Sequence, residues 1–153
     1  TLYRRFGYYT SAFGEGWALY SERLSVELGM AKTLFDELGV LQSELFRSVR
    51  LVVDTGLHYK RWTREEAMDY MKKTTGMSDA EVVSEIERYI VWPGQACSYK
   101  VGMIKILDLR ERAKDQMGDS FDIRDFHSAV LDHGEPPLFI VEELVDEMIS
   151  DAN

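Results

Sequence analysis

The stretch TLFDELGVLQSELFRSVRLVVDTGL, residues 33–57, decides the fold class. Leu34, Leu38, Leu41, Leu45, Val49, Val52 and Val53 repeat in it at three and four. That is the period of an amphipathic α-helix, held over more residues than a strand usually spans. Arg50, Asp54 and His58 form a separate row at four-residue steps. Gly56 weakens the last turn, which would set His58 just past the helix end.

Other helices follow on both sides. Upstream, Thr10 and Ser11 open a helix that runs to about Gly29. The segment before it, residues 1–9, is aromatic without helical spacing and reads as a stretch that packs on something. Downstream, Thr63-Arg64-Glu65-Glu66 is a capping box and starts a helix ending at Gly76. Ser78-Asp79-Ala80-Glu81 is a second box, starting a helix to about Val91. Pro93 suits the first turn of a fifth helix to about Gly118, with Gln95, Tyr99, Gly102, Ile106 and Leu109 on one face. Asp122 caps a sixth through about Asp132, with Phe126, Val130 and Leu131 inward. After the turn His133-Gly134-Glu135-Pro136-Pro137, a last helix to about Ser150 buries Phe139, Ile140, Leu144, Val145 and Met148. No stretch alternates with period two, and no repeat or linker is visible. The expectation is an all-α single domain of about seven helices over residues 1–153.

Composition narrows the function. A chain of 153 residues can bury one real core. Its net charge of −9 argues against a nucleic-acid surface and against contact with anionic membranes. No apolar run approaches the ~20 residues of a membrane span. The chain begins at Thr1 rather than Met, so a fragment of a longer polypeptide is expected. The single Cys97 excludes an internal disulfide and a thiolate zinc cluster.

The chemistry centres on Phe13-Gly14-Glu15-Gly16-Trp17-Ala18-Leu19-Tyr20-Ser21-Glu22. Glu15 and Glu22, seven residues apart, share one helix face amid apolar neighbours. Glycines flank Glu15 despite their cost in a helix, which would let a backbone or a substrate come close. Two readings stay open: surface acids on an amphipathic helix, or carboxylates with a job. His58, His127 and His133 show no helix-face pairing, so His127 and His133 read as core or surface histidines. His58 lies near Arg50 and Asp54 but completes no metal cage. Cys97 has no histidine near it in sequence and reads as a structural thiol. Arg88, Tyr89, Gln95, Tyr99 and Lys100 surround Trp92-Pro93-Gly94. The two tyrosines are either packed aromatics with satisfied hydroxyls or oxyanion stabilisers.

On these residues a family resemblance can be stated. Gly14 to Glu22 resembles the Asn-Glu-Gly-Phe-Ala…Glu motif of aminopeptidase N-like zinc peptidases. The chain as a whole resembles a bacterial domain-of-unknown-function family, number 885, regarded as zinc-peptidase-like. That resemblance rests on Glu15 to Tyr20, Arg50 to His58, Arg88 to Lys100 and Phe126 to Leu131, in this order. Gly94 to Tyr99 is also similar to the Gly-Tyr-Tyr-Ser-Tyr stretch of thimet-type oligopeptidases. The family's upstream His-Glu-x-x-x-Gly-His-His motif is absent from these 153 residues.

The resemblance implies the C-terminal helical portion of a gluzincin-like metallopeptidase, inactive as isolated. In it Glu15 is the metal ligand, with Glu22 and Asp54 behind the ligands. Tyr99, His58 and Tyr89 are the implied catalytic groups, and Arg50, Arg88, Gln95 and Lys100 the substrate-binding ones. The implied cofactor is zinc in the full-length protein, not held by this chain alone. The implied partners are a peptide-like substrate and the upstream part of the same polypeptide, and the implied place is the bacterial cell envelope or periplasm. The alternative is a non-catalytic helical peptide- or protein-binding module.

Overall fold

Three reciprocal caps punctuate the middle of the chain. In each, a hydroxyl accepts the backbone N–H three residues on, and the acid there accepts the cap residue's own N–H. The pairs are Thr33 with Asp36, Thr63 with Glu66, and Ser78 with Glu81. They start three of the helices in the computed structural model, which describes residues 9–152. The aromatic segment read as packing on something lies, at residues 1–8, outside that range. Among the described residues there are seven α-helices and no strand. They are α1 (Ser11–Glu27), α2 (Leu34–His58), α3 (Arg64–Thr75), α4 (Asp79–Val91), α5 (Ser98–Met117), α6 (Ile123–Leu131) and α7 (Leu138–Asp151).

Two boundaries differ from the sequence reading. His58 is the last residue of α2, because Gly56 is buried against Trp62 and the helix continues through it. Pro93 does not start α5. Gly94 takes a left-handed conformation (φ 81°), a short 3₁₀ turn spans Gln95–Cys97, and α5 begins at Ser98.

Contacts within the chain group into two compact units, Thr1–Tyr20 with Val101–Asn153, and Ser21–Lys100. The first holds the start of α1, most of α5, and the packed pair α6 and α7. Phe13, Leu19, Met103, Ile106, Phe126 and Val145 are among its buried residues. Here α1 and α5 cross without side chains between them. A Cβ on Gly102 would stand 1.9 Å from the Ala12 carbonyl oxygen, so only glycine fits. In α7 the buried row is Val141, Val145 and Ile149, while Phe139 is exposed and Ile140, Leu144 and Met148 are half-buried. The helix carries two adjacent apolar rows, and hydrophobicity alone does not choose between them. Leu131, expected inward, is likewise exposed.

The second unit packs α2, α3 and α4 around Val49, Val53, Ala67, Met71, Val82 and Ile86, with Tyr89 and Ala96 closing the core. Of the apolar row that announced α2, only Val49 and Val53 are buried. Leu34, Leu38, Leu41, Leu45 and Val52 face solvent.

Candidate functional site

In the first unit, Glu15 is half-buried on α1, one residue before the Gly16 crossing. Gly16 is there for backbone approach, since a Cβ on it would lie 2.4 Å from the Gly102 Cα. Further along the same helix, the buried Tyr20 hydroxyl shares a 2.8 Å hydrogen bond with His127 Nε2. Trp17 packs edge-on against the His127 ring at 5.3 Å. His127 is thus a half-buried histidine tied to aromatic neighbours, in keeping with its reading as a core or surface histidine.

The second unit brings together most of the other singled-out side chains, and Arg50 is their hub. It sits on α2 with 7 % of its surface exposed. Its Nε donates to the Tyr89 hydroxyl at 2.9 Å and its Nη2 to Glu85 at 2.8 Å. Tyr89 donates its own hydroxyl proton to Glu85 at 2.5 Å, and Arg88 adds a third donor at 3.0 Å. The other arm of Arg88 reaches Gln95 Oε1 at 2.8 Å. The Arg50 guanidinium also lies over the rings of Phe46, at 4.2 Å, and Tyr99, at 5.0 Å. Two of the predicted residues brace the edges. The Asp54 carboxylate accepts the Gly94 N–H, at 3.1 Å to each oxygen, and His58 Nε2 lies 2.9 Å from the Tyr89 carbonyl.

The charges of this cluster compensate one another. Burial pushes the Glu85 carboxyl up, but hydrogen bonds from Tyr89 and Arg88 and the nearby Arg50 charge outweigh it and hold the group below its ordinary range. Burial, helped by Glu85, raises the Tyr89 phenol above its ordinary value, so it stays protonated and donates. Burial and then the Asp54 charge push the Cys97 thiol up to about 11. The remaining predicted residues of this unit are engaged elsewhere. Lys100 pairs with Glu44 at 2.5 Å, while Glu22 accepts from the Ser43 hydroxyl at 2.6 Å and lies 3.7 Å from Arg47.

The sequence reading passed over Glu85 and Phe46. Glu85 had a visible signal, since it precedes Arg88 by three and Tyr89 by four on one helix. Phe46 had none, because its partner Arg50 is four residues on but reads equally well as a solvated arginine.

A metal ion needs several donors gathered at one place. Among the described residues no group of three or more His, Cys, Asp or Glu could hold one. Glu15 alone does not fit a zinc centre, which takes at least three protein ligands. No helix among the described residues is long and apolar enough to cross a membrane.

Comparison with known proteins completes the picture. No curated relative matches the chain. Two solved structures, each of a protein described as a putative lipoprotein, share the fold. One is from Colwellia psychrerythraea, 55% identical with a TM-score of 0.90 over 92% of this chain. The other, of unknown function, is from Shewanella oneidensis, 29% identical with a TM-score of 0.81 over 87% of this chain. The chain spans only 24% of the length of either. Residues 1–145 match the model of the family described as "Bacterial protein of unknown function (DUF885)", and the chain belongs to that family.

Proposed function

We propose that this chain is the C-terminal helical portion of a zinc-dependent, peptidase-like hydrolase of the bacterial cell envelope. In this reading Glu15 contributes one carboxylate to a metal centre whose other ligands come from the upstream part of the same polypeptide. The observation that carries it is the seat of Glu15. The neighbouring Gly16 is locked backbone to backbone on Gly102, so the carboxylate stands on a rigid element rather than on a loop. A surface acid has no need of such a seat. Tyr99 is the proposed oxyanion donor, its ring held under the Arg47 and Arg50 guanidinium groups at 5.7 and 5.0 Å. Arg50, Arg88 and Gln95 support the turn that leads into Tyr99, and the substrate is peptide-like.

The test uses the full-length polypeptide and measures zinc content, melting temperature and peptide hydrolysis together. Glu15→Gln is expected to lose zinc and turnover while keeping its melting temperature. Tyr99→Phe is expected to keep zinc and to lose about a hundredfold in turnover. Variants that keep zinc and specific activity but melt earlier would sink the proposal.

A further inference from the structure

The helix α2 shows an apolar row to solvent from Leu34 to Leu45, resumed at Val52 after Ser48. Leu34, Leu38, Leu41, Leu45 and Val52 are exposed, from 82% at Leu34 to 40% at Val52. Large apolar side chains exposed singly are ordinary, whereas a contiguous row of them marks a contact surface. The row has a definite period. Its members are spaced four, three, four and seven residues apart. That is a 3.5-residue repeat with Ser48 at one of its places, the seam by which one helix packs along another, not the broader stripe that faces a globular core. At 1.5 Å per residue, Leu34 to Val52 is about 27 Å of seam. Beside Leu45 a groove of ≈ 330 Å³, walled by Gly39, Phe46 and Met77, offers room for a side chain of whatever lies along it.

We propose that this seam is the seat of a helix from the rest of a longer polypeptide, packed along α2 at the shallow angle of a coiled-coil pair. The inference rests on the reading that the chain is one portion of a longer protein, but not on zinc or hydrolysis. Two observations choose this occupant. The solved relatives are about four times as long as the stretch they share with this chain, which leaves ample further chain to cover the seam. The borders of the seam also differ in chemistry. Phe35 and Gln42 flank it on one side, and Glu37 and Glu44 on the other. Glu44 is already paired with Lys100, so Glu37 is the acid left at the border for a new cation. A second copy of α2 would set the Glu37 border against itself if antiparallel, or against the border of Phe35 and Gln42 if parallel, and neither arrangement gains a charge pair. The helix that fits has an apolar 3.5-residue seam of its own and a Lys or Arg opposite Glu37.

The test places a photo-reactive benzophenone amino acid at Leu41 in the full-length polypeptide, with a second variant carrying it at Leu38 in case one disturbs folding. After irradiation, the expected product has the mass of a single chain and is joined to a peptide outside residues 1–153. Hydroxyl-radical labelling of the unmodified full-length protein gives an independent reading. There the Leu34, Leu38, Leu41 and Leu45 side chains, after correction for the greater intrinsic reactivity of tyrosine, should label at least fivefold less than the exposed Tyr59. A cross-linked dimer, a cross-link to a different protein, or reactivity-corrected labelling as strong as that of Tyr59 would each overturn the proposal. Zinc content of the same preparation reads the hydrolase proposal separately. A metal-free protein with the intramolecular cross-link sinks that proposal and leaves this one standing, and the reverse pattern does the opposite.

Discussion

Gly16 and Gly102 meet backbone to backbone where α1 and α5 cross, with the Ala12 carbonyl lodged where a Gly102 side chain would begin. Alanine at either position must push two helices apart. For Gly102→Ala the obstructing atom is a backbone oxygen 1.9 Å away, which no side-chain rotation relieves. Overpacking of this kind costs about 1–3 kcal/mol, enough to outweigh the helix propensity gained on replacing glycine. Gly39 is the built-in control, since it is also helical but a Cβ there meets nothing within 4 Å. Gly39→Ala should stabilise by roughly 0.5–1 kcal/mol. Urea denaturation of the three variants should therefore give opposite signs, and a stable Gly102→Ala protein would refute the crossing.

The second unit has its own glycine contact. A Cβ on Gly56 would lie 2.4 Å from the Trp62 ring, which also donates its backbone N–H to the Gly56 carbonyl at 2.9 Å. Gly56→Ala should displace the indole and weaken its packing against Tyr70, at 5.5 Å between ring centres. A loss of about 1–3 kcal/mol is expected, with a changed near-ultraviolet circular dichroism signal. An unchanged signal with unchanged stability would show that the ring has freedom to move aside.

Glu85 sets the pH response of the Arg50 cluster. Its carboxyl is held below the ordinary range in the folded chain, so the unfolded chain binds its proton more tightly. The stability it contributes is therefore complete above the ordinary glutamate range, near 4.3, and is lost as pH falls through the lower folded value. Glu85→Gln leaves Arg50 buried without its counter-charge, which should cost roughly 3 kcal/mol at pH 7. The gap between wild type and variant should close below about pH 4. Equal stability of the two proteins at pH 7 would show that the ion pairs contribute nothing net.

How much of this was written in the sequence can be judged from individual residues. The caps at Thr63 and Ser78 were legible because each carries glutamate three residues on, and the helices begin where those boxes put them. The all-helical character followed from periodicity. The same periodicity puts Leu38, Leu41 and Leu45 in one row with Val49 and Val53, but a repeat tells which residues share a face and not what covers it. The glycines around Glu15 were read as permitting close approach, and Gly16 meets a backbone as that reading allowed. Its partner Gly102 lies 86 positions away and could be found only by folding the chain. Arg50, Arg88 and Gln95 are implied as substrate-binding and Tyr89 as catalytic; in the fold Arg50, Arg88 and Tyr89 converge on Glu85, and Gln95 accepts from Arg88. Mutual pairing of that kind is a matter of three-dimensional neighbours, to which spacing along the chain is blind.

The last prediction concerns Asp54 and Cys97. Asp54 is buried on α2, and both of its carboxylate oxygens lie 3.1 Å from the Gly94 N–H. It thereby pins the left-handed turn at Gly94, two residues before the buried Ala96 and three before Cys97. The same carboxylate, after burial, holds the Cys97 thiol protonated by pushing it up to about 11. At pH 7.5 the thiol should alkylate at least roughly tenfold more slowly than a free thiol of ordinary pKa, allowing for the greater nucleophilicity of a basic thiolate. Asp54→Asn removes the charge and keeps a side-chain oxygen for the Gly94 N–H. The thiol should then titrate lower and alkylate faster at pH 7.5, with little loss of stability. Asp54→Ala removes both functions and leaves the Gly94 N–H without its acceptor, so it should also cost about 1–3 kcal/mol. Following iodoacetamide labelling of Cys97 against pH in the three proteins separates the two effects. If Asp54→Asn and wild type give the same labelling profile, the Asp54 charge does not govern the thiol. If Asp54→Ala is as stable as Asp54→Asn, the carboxylate does not pin the turn.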